Sequence, residues 1–97
     1  MKTLENVKDL KGYALVDFNA TWCGPCRMLH PILEKLDNEI SDVDFYEVDV
    51  DDNMELAANF NVSNIPCLVI LKDGKEIARS VGFKPENMIK QFIVNSK

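Results

Sequence analysis

The segment WCGPC, which contains Cys23 and Cys26, constrains this chain more than any other feature of its sequence. Apolar strand formers precede the two cysteines and a segment with helical periodicity follows them, so Cys23 is predicted at the N-terminus of a helix. Unpaired backbone N–H groups and the helix dipole favour negative charge at that position, which stabilises a thiolate. The thiolate is the species that attacks disulfides. The spacing and the placement therefore predict a redox-active cysteine pair.

Composition and charge exclude several classes of protein. The chain is long enough for one domain with a modest core, which is predicted to span residues 1–97. The net charge is −5 and no long cluster of Lys and Arg occurs, so neither nucleic acid nor an anionic membrane is expected as a partner. No apolar run reaches transmembrane length, and the first residues lack the apolar core of a secretion signal.

The cysteine count bears on the cellular compartment. Three cysteines are an odd number, which argues against a scaffold held by disulfides. In the absence of an export signal the chain is predicted to be cytoplasmic. Structural disulfides are rare in that compartment, and paired cysteines there tend to be catalytic or metal-binding.

Hydrophobic periodicity predicts alternating strands and helices. The near-continuous apolar run at 13–18 is typical of a strand that is covered on both faces. Apolar residues from Leu29 to Ile40 follow helical spacing, and Pro31 among them predicts a kink rather than a break. The remaining segments with a strand or helix pattern are the strands 43–50, 67–71 and 76–81, a short helix ending at Phe60, a helix from Pro85 onward, and a weak helical signal at 4–10.

The order of these elements predicts an α/β fold. The segment between the strands at 13–18 and 43–50 is long enough for a crossover, so these two strands are predicted to be parallel. A capping box at 52–55 is predicted to open the short helix. Asp73-Gly74 is a strong signal for a hairpin turn between the last two strands. The result is a mixed sheet flanked by helices.

Each cysteine is predicted to have its own role. Cys23, exposed at the helix start, attacks a substrate disulfide and forms a mixed disulfide. Cys26, three positions later and pointing into the first turn, attacks the sulfur of Cys23 and releases the reduced substrate. Pro25 fixes φ in that first turn and stiffens the loop.

Asp17 is the next candidate, because a carboxylate within an apolar strand is costly unless it is neutral or partnered. Burial should raise its pKa, and a buried acid behind the second thiol could accept the proton of Cys26, through water, and return it in the reverse direction. The alternative is an aspartate that faces solvent. Its apolar neighbours Leu15, Val16 and Phe18 weigh against that alternative.

Other residues near the cysteines have two possible readings. Trp22 either packs in the core or covers one side of the thiols and contacts substrate. His30 is interpreted as a surface residue of the helix. Pro66 opens a strand, where a proline is tolerated, and its peptide bond can be trans or cis.

The three acidic residues at 49, 51 and 52 lack the pattern of a calcium loop and are interpreted as a strand end and a helix cap.

The chain resembles the thioredoxins over nearly its whole length. The residues that carry the resemblance are Asp17-Phe18, the WCGPC segment, Pro31, Ile65-Pro66, Asp73-Gly74 and Val81-Gly82. The resemblance implies a thioredoxin fold with a four- to five-stranded mixed sheet, a cis bond before Pro66, and a redox-active disulfide that needs no separate cofactor. It also implies a monomer with a flat apolar docking surface, where a substrate peptide hydrogen-bonds to the backbone of Ile65. The residues of this surface are Trp22, Gly24, Pro25, Ile65, Pro66 and Gly82.

The resemblance also implies partners. Electrons would come from a thioredoxin reductase, linked to NADPH or to ferredoxin. The acceptors would be disulfide-containing proteins such as ribonucleotide reductase, peroxiredoxins and methionine sulfoxide reductases.

Four features depart from the family pattern. Cys67 replaces the usual threonine after the proline, either as a buried bystander or as a third thiol that alters reactivity. Asn19 replaces a residue that is often aromatic, which could loosen packing near the site. Glu47 stands where several bacterial members have lysine, and an acid there should raise the pKa of Asp17. The short N-terminus leaves the first edge strand reduced or absent.

Three other functions remain open at this point. An oxidase or isomerase could use the same fold, although the Gly24-Pro25 dipeptide argues against it. A metal-binding protein could use three cysteines and His30 as Cys₃His ligands, whereas no metal site is predicted for the leading hypothesis. A partner subunit could use the docking surface alone, without redox chemistry.

Overall fold

The computed structural model describes residues 1–97 and contains one five-stranded sheet with three helices. The elements are β1 (Lys2–Thr3), β2 (Tyr13–Asn19), α1 (Gly24–Glu39), β3 (Val43–Asp49), α2 (Met54–Asn59), β4 (Cys67–Lys72), β5 (Lys75–Val81) and α3 (Glu86–Ser96). The strand order across the sheet is β1-β3-β2-β4-β5.

The sheet is mixed, as the order of elements predicted. The crossover through α1 makes β2 and β3 parallel, whereas β4 is antiparallel to both β2 and β5. At the centre of the sheet Asp17 is paired in register with Glu47 on β3 and with Leu68 on β4. This register fixes the neighbours of the one buried charged residue.

Helices cover the central strand on both faces, which explains its near-continuous apolar sequence. Val16 and Phe18 belong to a core cluster that includes Leu56 of α2. Leu15 belongs to a second cluster, in which strand residues pack against α1 and α3, with Leu33 and Ile89 among its members. Because side chains alternate along a strand, Asp17 projects on the same face as Leu15.

The predicted helix at 4–10 is wrong. Leu4 is buried in the core, and Val7 and Leu10 pack against it, but the segment forms turns and bends instead of a helix. Because every third residue from Leu4 to Leu10 contacts the core, the segment has the apolar spacing of a helix although its backbone is not helical. The first edge strand is present but has only two residues, in which Lys2 and Thr3 pair with β3.

The two helix boundaries nearest the site also refine the prediction. The predicted capping box at 52–55 is wrong, because Asn53 is the N-cap and its Oδ1 accepts a hydrogen bond from the Leu56 N–H at 3.1 Å. Leu56 has no side-chain acceptor with which to complete a reciprocal bond. Helix α1 continues through Pro31 and ends at Glu39, with Ile40 as its C-cap.

The β4–β5 turn provides a test of the packing between the N-terminal segment and the sheet. Gly74 has φ +83°, and a Cβ atom there would lie 2.9 Å from the backbone oxygen of Val7. Gly12 has φ +69° but open space around the same position. Gly12→Ala should therefore cost only the left-handed strain of about 1–2 kcal/mol. Gly74→Ala should cost clearly more, because it adds a backbone clash. Urea unfolding of both variants measures the difference, and equal losses would contradict the contact.

Candidate active site

Cys23 and Cys26 form a disulfide at the N-terminus of α1, with their Cα atoms 5.2 Å apart. Cys23 is the N-cap residue, and its Sγ accepts a hydrogen bond from the backbone N–H of Cys26 at 3.2 Å. Gly24 and Pro25 begin the helix. A proline in the first turn gives up a donor that would have no partner inside the helix. The backbone donor and the helix terminus both favour a thiolate on Cys23 after reduction.

Both cysteines are buried, so the expectation that Cys23 is exposed is wrong. Cys23 is 5% exposed and Cys26 is 4% exposed. They pack with Ala20 and against Val50 and Ile65. The segments before α1, after β3 and before β4 therefore enclose the disulfide.

Asp17 is buried, which excludes the alternative that it faces solvent. It is 1% exposed, its Oδ2 accepts a hydrogen bond from Asn19 Nδ2 at 3.2 Å, and its Oδ1 has no partner. Burial raises the pKa of Asp17 to about 6, against the lowering effect of the Asn19 hydrogen bond. Glu47 raises that pKa further, as predicted, and His30 lowers it. A carboxyl with this pKa can change protonation state near neutral pH.

A cleft of about 690 Å³ opens beside Cys26, the inner residue of the disulfide. Cys26 lines it together with Asn19, His30 and Glu47. Asn19 thus connects the cleft to the carboxylate of Asp17 through its hydrogen bond. The cleft therefore borders Cys26 but not Cys23.

Trp22 lies on the surface, so the interpretation that it packs in the core is wrong. Its side chain is 67% exposed, and its Nε1 donates a hydrogen bond to Asp51 Oδ2 at 2.8 Å. Asp51 is itself in the turn after β3, where its backbone N–H bonds to Asp49 Oδ1 at 2.8 Å. The acidic turn therefore orients the indole next to Cys23.

The loop before β4 lies against the disulfide. The Ile65-Pro66 peptide bond is cis, as the family resemblance implied. Ile65 packs against the cysteine cluster, and the N–H of Gly82 donates to the carbonyl oxygen of Pro66 at 2.8 Å. This bond joins the end of β5 to the loop, so these residues from distant parts of the sequence are neighbours.

The residues proposed for a Cys₃His metal site do not assemble. Cys67 is a free, buried thiol in the core cluster of Phe18, on the sheet face opposite Asp17. Burial raises the pKa of Cys67, with smaller effects from nearby charges. His30 is close to two carboxylates, Glu34 and Glu47, and these three side chains have ligand atoms within 4.8 Å of one another.

Sequence reasoning missed two partners in this site. Asn19 was interpreted only as a substitution that loosens packing, although it is two residues from Asp17 and therefore on the same strand face. That spacing could have indicated the hydrogen bond between the two side chains. The sequence pattern assigns Asp51 and its acidic neighbours to a strand end and a helix cap. No local pattern relates Asp51 to Trp22, because the two residues meet only in the folded chain.

Comparisons with known proteins identify the family. The family model of thioredoxin matches residues 3–95. The chain is 45% identical to the thioredoxin of Bacillus subtilis (strain 168) over 84 residues, which are 86% of this chain and 81% of the relative. The chain belongs to the thioredoxin family. It is also 49% identical to the thioredoxin of Chlamydia pneumoniae over 84 residues, or 87% of this chain and 78% of the relative.

Solved structures of thioredoxins have the same fold. The X-ray structure of Fasciola hepatica thioredoxin matches with a TM-score of 0.84 and 45% identity, covering 90% of this chain and 84% of that one. The oxidized form of mitochondrial thioredoxin 3 from Saccharomyces cerevisiae matches with a TM-score of 0.86 and 33% identity, covering 97% and 94%. The predicted thioredoxin fold is confirmed.

Membership in the family also confirms the predicted activity. The chain is a thiol–disulfide oxidoreductase that reduces protein disulfides through its own Cys23–Cys26 pair and is recycled by a thioredoxin reductase. No helix is both long and apolar enough to cross a membrane.

The burial of Asp17 predicts a pH-dependent stability difference between the protein and the variant Asp17→Asn. The pKa of Asp17 is about 6 in the folded protein, above its ordinary value of 3.8. The folded state therefore binds more protons between these values, and stability falls as pH rises through that window. The variant cannot ionise at this position. It should be more stable than the parent by about 1–3 kcal/mol above pH 7, because each pKa unit corresponds to about 1.4 kcal/mol.

Well below pH 3.8 the advantage of the variant should disappear, because the aspartate is then neutral in both the folded and unfolded states. Urea unfolding of the oxidised proteins at both pH values measures the difference. The same stability difference at low and high pH would contradict the assignment.

Proposed function

We propose that Cys23 is the nucleophile and Cys26 the resolving thiol. The Cys23 thiolate attacks a substrate disulfide, one substrate sulfur leaves as a thiolate, and a mixed disulfide forms. Cys26 then attacks the sulfur of Cys23, which closes the intramolecular disulfide and releases the second substrate thiolate. The observation that carries this assignment is the hydrogen bond from the Cys26 N–H to Cys23 Sγ at the start of α1. This bond stabilises negative charge on the Cys23 sulfur and gives no such stabilisation to the Cys26 sulfur.

The proposal gives Asp17 the role of proton acceptor for Cys26. A thiol without a stabilising donor is a weak nucleophile until it loses its proton. A carboxylate whose pKa is about 6 is ionised at neutral pH. Its unpartnered Oδ1 leaves one oxygen available for a proton. In the reverse direction the same carboxyl returns the proton to Cys26 as its sulfur leaves.

We further propose that substrate docks on the surface formed by Trp22, Gly24, Pro25, Ile65, Pro66 and Gly82. Support comes from the exposure of Trp22, from the contact of Ile65 with the cysteine cluster, and from the bond between Gly82 and Pro66. The backbone of Ile65 is proposed to hydrogen-bond to the substrate peptide. Because both cysteines are almost fully buried, a substrate disulfide has to be held closely against this surface for attack.

The proposed cellular role is electron transport to protein disulfides in the cytoplasm. Proposed acceptors are ribonucleotide reductase, peroxiredoxins and methionine sulfoxide reductases. The chain is proposed to act as a single domain over 1–97 and as a monomer, without a separate cofactor or metal. Its net charge of −5 supports protein partners over nucleic acid.

Trapping of the mixed disulfide tests the two cysteine roles. The variant Cys26→Ser should accumulate a covalent complex with a disulfide-containing protein, because the resolving thiol is missing. Cys23→Ser should form almost none and should lose reductase activity. Non-reducing gels and insulin reduction measure the two outcomes. Cys67→Ser is the control, because Cys67 of β4 is buried on the sheet face opposite Asp17, and it should behave like the parent.

The opposite pattern of trapping would exchange the two roles. Full biological activity in a variant with both cysteines replaced would indicate a partner subunit that does not use redox chemistry.

A further inference from the structure

The proton that Asp17 accepts needs a route to solvent. This requirement rests on the proposed function, in which Asp17 takes the proton of Cys26. Asp17 is 1% exposed and is not part of the lining of the neighbouring cleft. One of its carboxylate oxygens is held by Asn19 and the other has no partner. A carboxyl in this position exchanges protons slowly unless another group connects it to water.

Glu47 is placed to make that connection. Asp17 and Glu47 are register partners on the parallel strands β2 and β3. Register partners project from the same face of a sheet, with Cβ atoms about 5 Å apart. Glu47 is partly exposed and lines the cleft of about 690 Å³, which Cys26 also lines. Glu47 therefore has the buried carboxyl on one side and solvent on the other.

The other groups around Asp17 are less suited to the task. Asn19, from the same strand, cannot carry a proton at neutral pH. His30 of α1 also lines the cleft, but it is not a strand partner of Asp17, and its Nε2 lies 3.5 Å from Glu34 Oε1. Leu68 is the partner on β4, Cys67 of that strand lies on the opposite sheet face, and the buried residues of α3 are isoleucines. These elements therefore bring no titratable group to the face of Asp17.

We propose that Glu47 relays the proton between buried Asp17 and the water of the cleft. In the direction of substrate reduction, Cys26 gives its proton to Asp17, and its thiolate closes the disulfide as the substrate thiolate leaves. The proton then passes from Asp17 through water to the Glu47 carboxylate and from there to bulk solvent, which restores both carboxylates. In the reverse direction the same path delivers a proton to Asp17. Glu47 acts through Asp17 and does not touch the sulfur atoms.

A pH-jump experiment isolates this relay. At about pH 4, where Asp17 is protonated, Cys23 of the reduced protein attacks the disulfide of dithiobis(nitrobenzoate), which forms the mixed disulfide and releases one thionitrobenzoate. That first product is removed, and the protein is then mixed to about pH 8. Release of the coloured thiolate reports attack by Cys26, and that leaving group needs no proton from the protein. Attack has to wait until Asp17 loses its proton. The parent protein should therefore show a single exponential without a lag.

Glu47→Gln should show a lag, or an early rate lower on the order of tenfold, because Asp17 then depends on local opening of the structure for proton exchange. Imidazole, which is small enough for the cleft, should shorten the lag by taking over the transfer. Glu47→Asp should behave like the parent, because it keeps a carboxylate. Glu5→Gln is the matched control, since it removes a carboxylate from the same cleft without pairing with Asp17.

The outcomes separate this relay from the proposed function. Slow release in Asp17→Asn together with a lag-free Glu47→Gln would overturn the relay alone. Release in Asp17→Asn as fast as in the parent would overturn the role of Asp17 and the relay with it. A lag in His30→Gln but not in Glu47→Gln would overturn the choice of Glu47. A lag in Glu47→Gln that imidazole leaves unchanged would mean a structural effect and would also overturn the relay.

Discussion

The burial of the Asp17 carboxyl in the central strand is the constraint on which the proposed proton transfer depends. A charged group in an apolar interior is unfavourable unless it is neutralised or partnered, and Asp17 has one hydrogen bond for its two oxygens. The apolar clusters between the sheet and the helices on both of its faces stabilise the fold and offset this unfavourable burial. The consequence is a carboxyl group with a pKa of about 6, which can exchange protons under conditions where an exposed aspartate stays ionised.

The two cysteines differ because of their positions relative to one helix terminus. Cys23 is the N-cap and receives a backbone hydrogen bond, whereas Cys26 lies inside the first turn. This backbone geometry stabilises charge on the Cys23 sulfur. In the proposed mechanism, the Cys26 sulfur depends on a base instead. Loops from three regions of the sequence complete the site. Trp22 is held by Asp51, and Ile65 packs against the disulfide, so the sulfur atoms are enclosed although the surface around them is accessible.

Features that depend on local sequence could be predicted, and features that depend on distant contacts could not. The pattern of β2 indicated a strand covered on both faces, and the position of Cys23 at a helix start followed from the segments on either side. The burial of Cys23 could not be predicted, because Val50 and Ile65 come from other parts of the chain. The helical signal at 4–10 failed for a related reason: Leu4 and its neighbours follow the surface of the core rather than a helix period. The spacing of two residues between Asp17 and Asn19 indicates a shared strand face and hence a possible hydrogen bond. The family pattern indicates only that an aromatic residue is missing at position 19.

The most direct test of the central claim is a titration of the Asp17 side-chain carboxyl in the oxidised protein, followed by its carbon-13 chemical shift. Burial predicts a midpoint at about pH 6, and Asp17→Asn identifies the signal by its absence. The midpoint should move to lower pH in Glu47→Gln, because the charge of Glu47 raises the pKa of Asp17. A midpoint near the ordinary aspartate value of 3.8 would mean that the carboxyl is fully ionised and stabilised in the folded protein. That result would contradict its assignment as the group that accepts and returns the proton of Cys26.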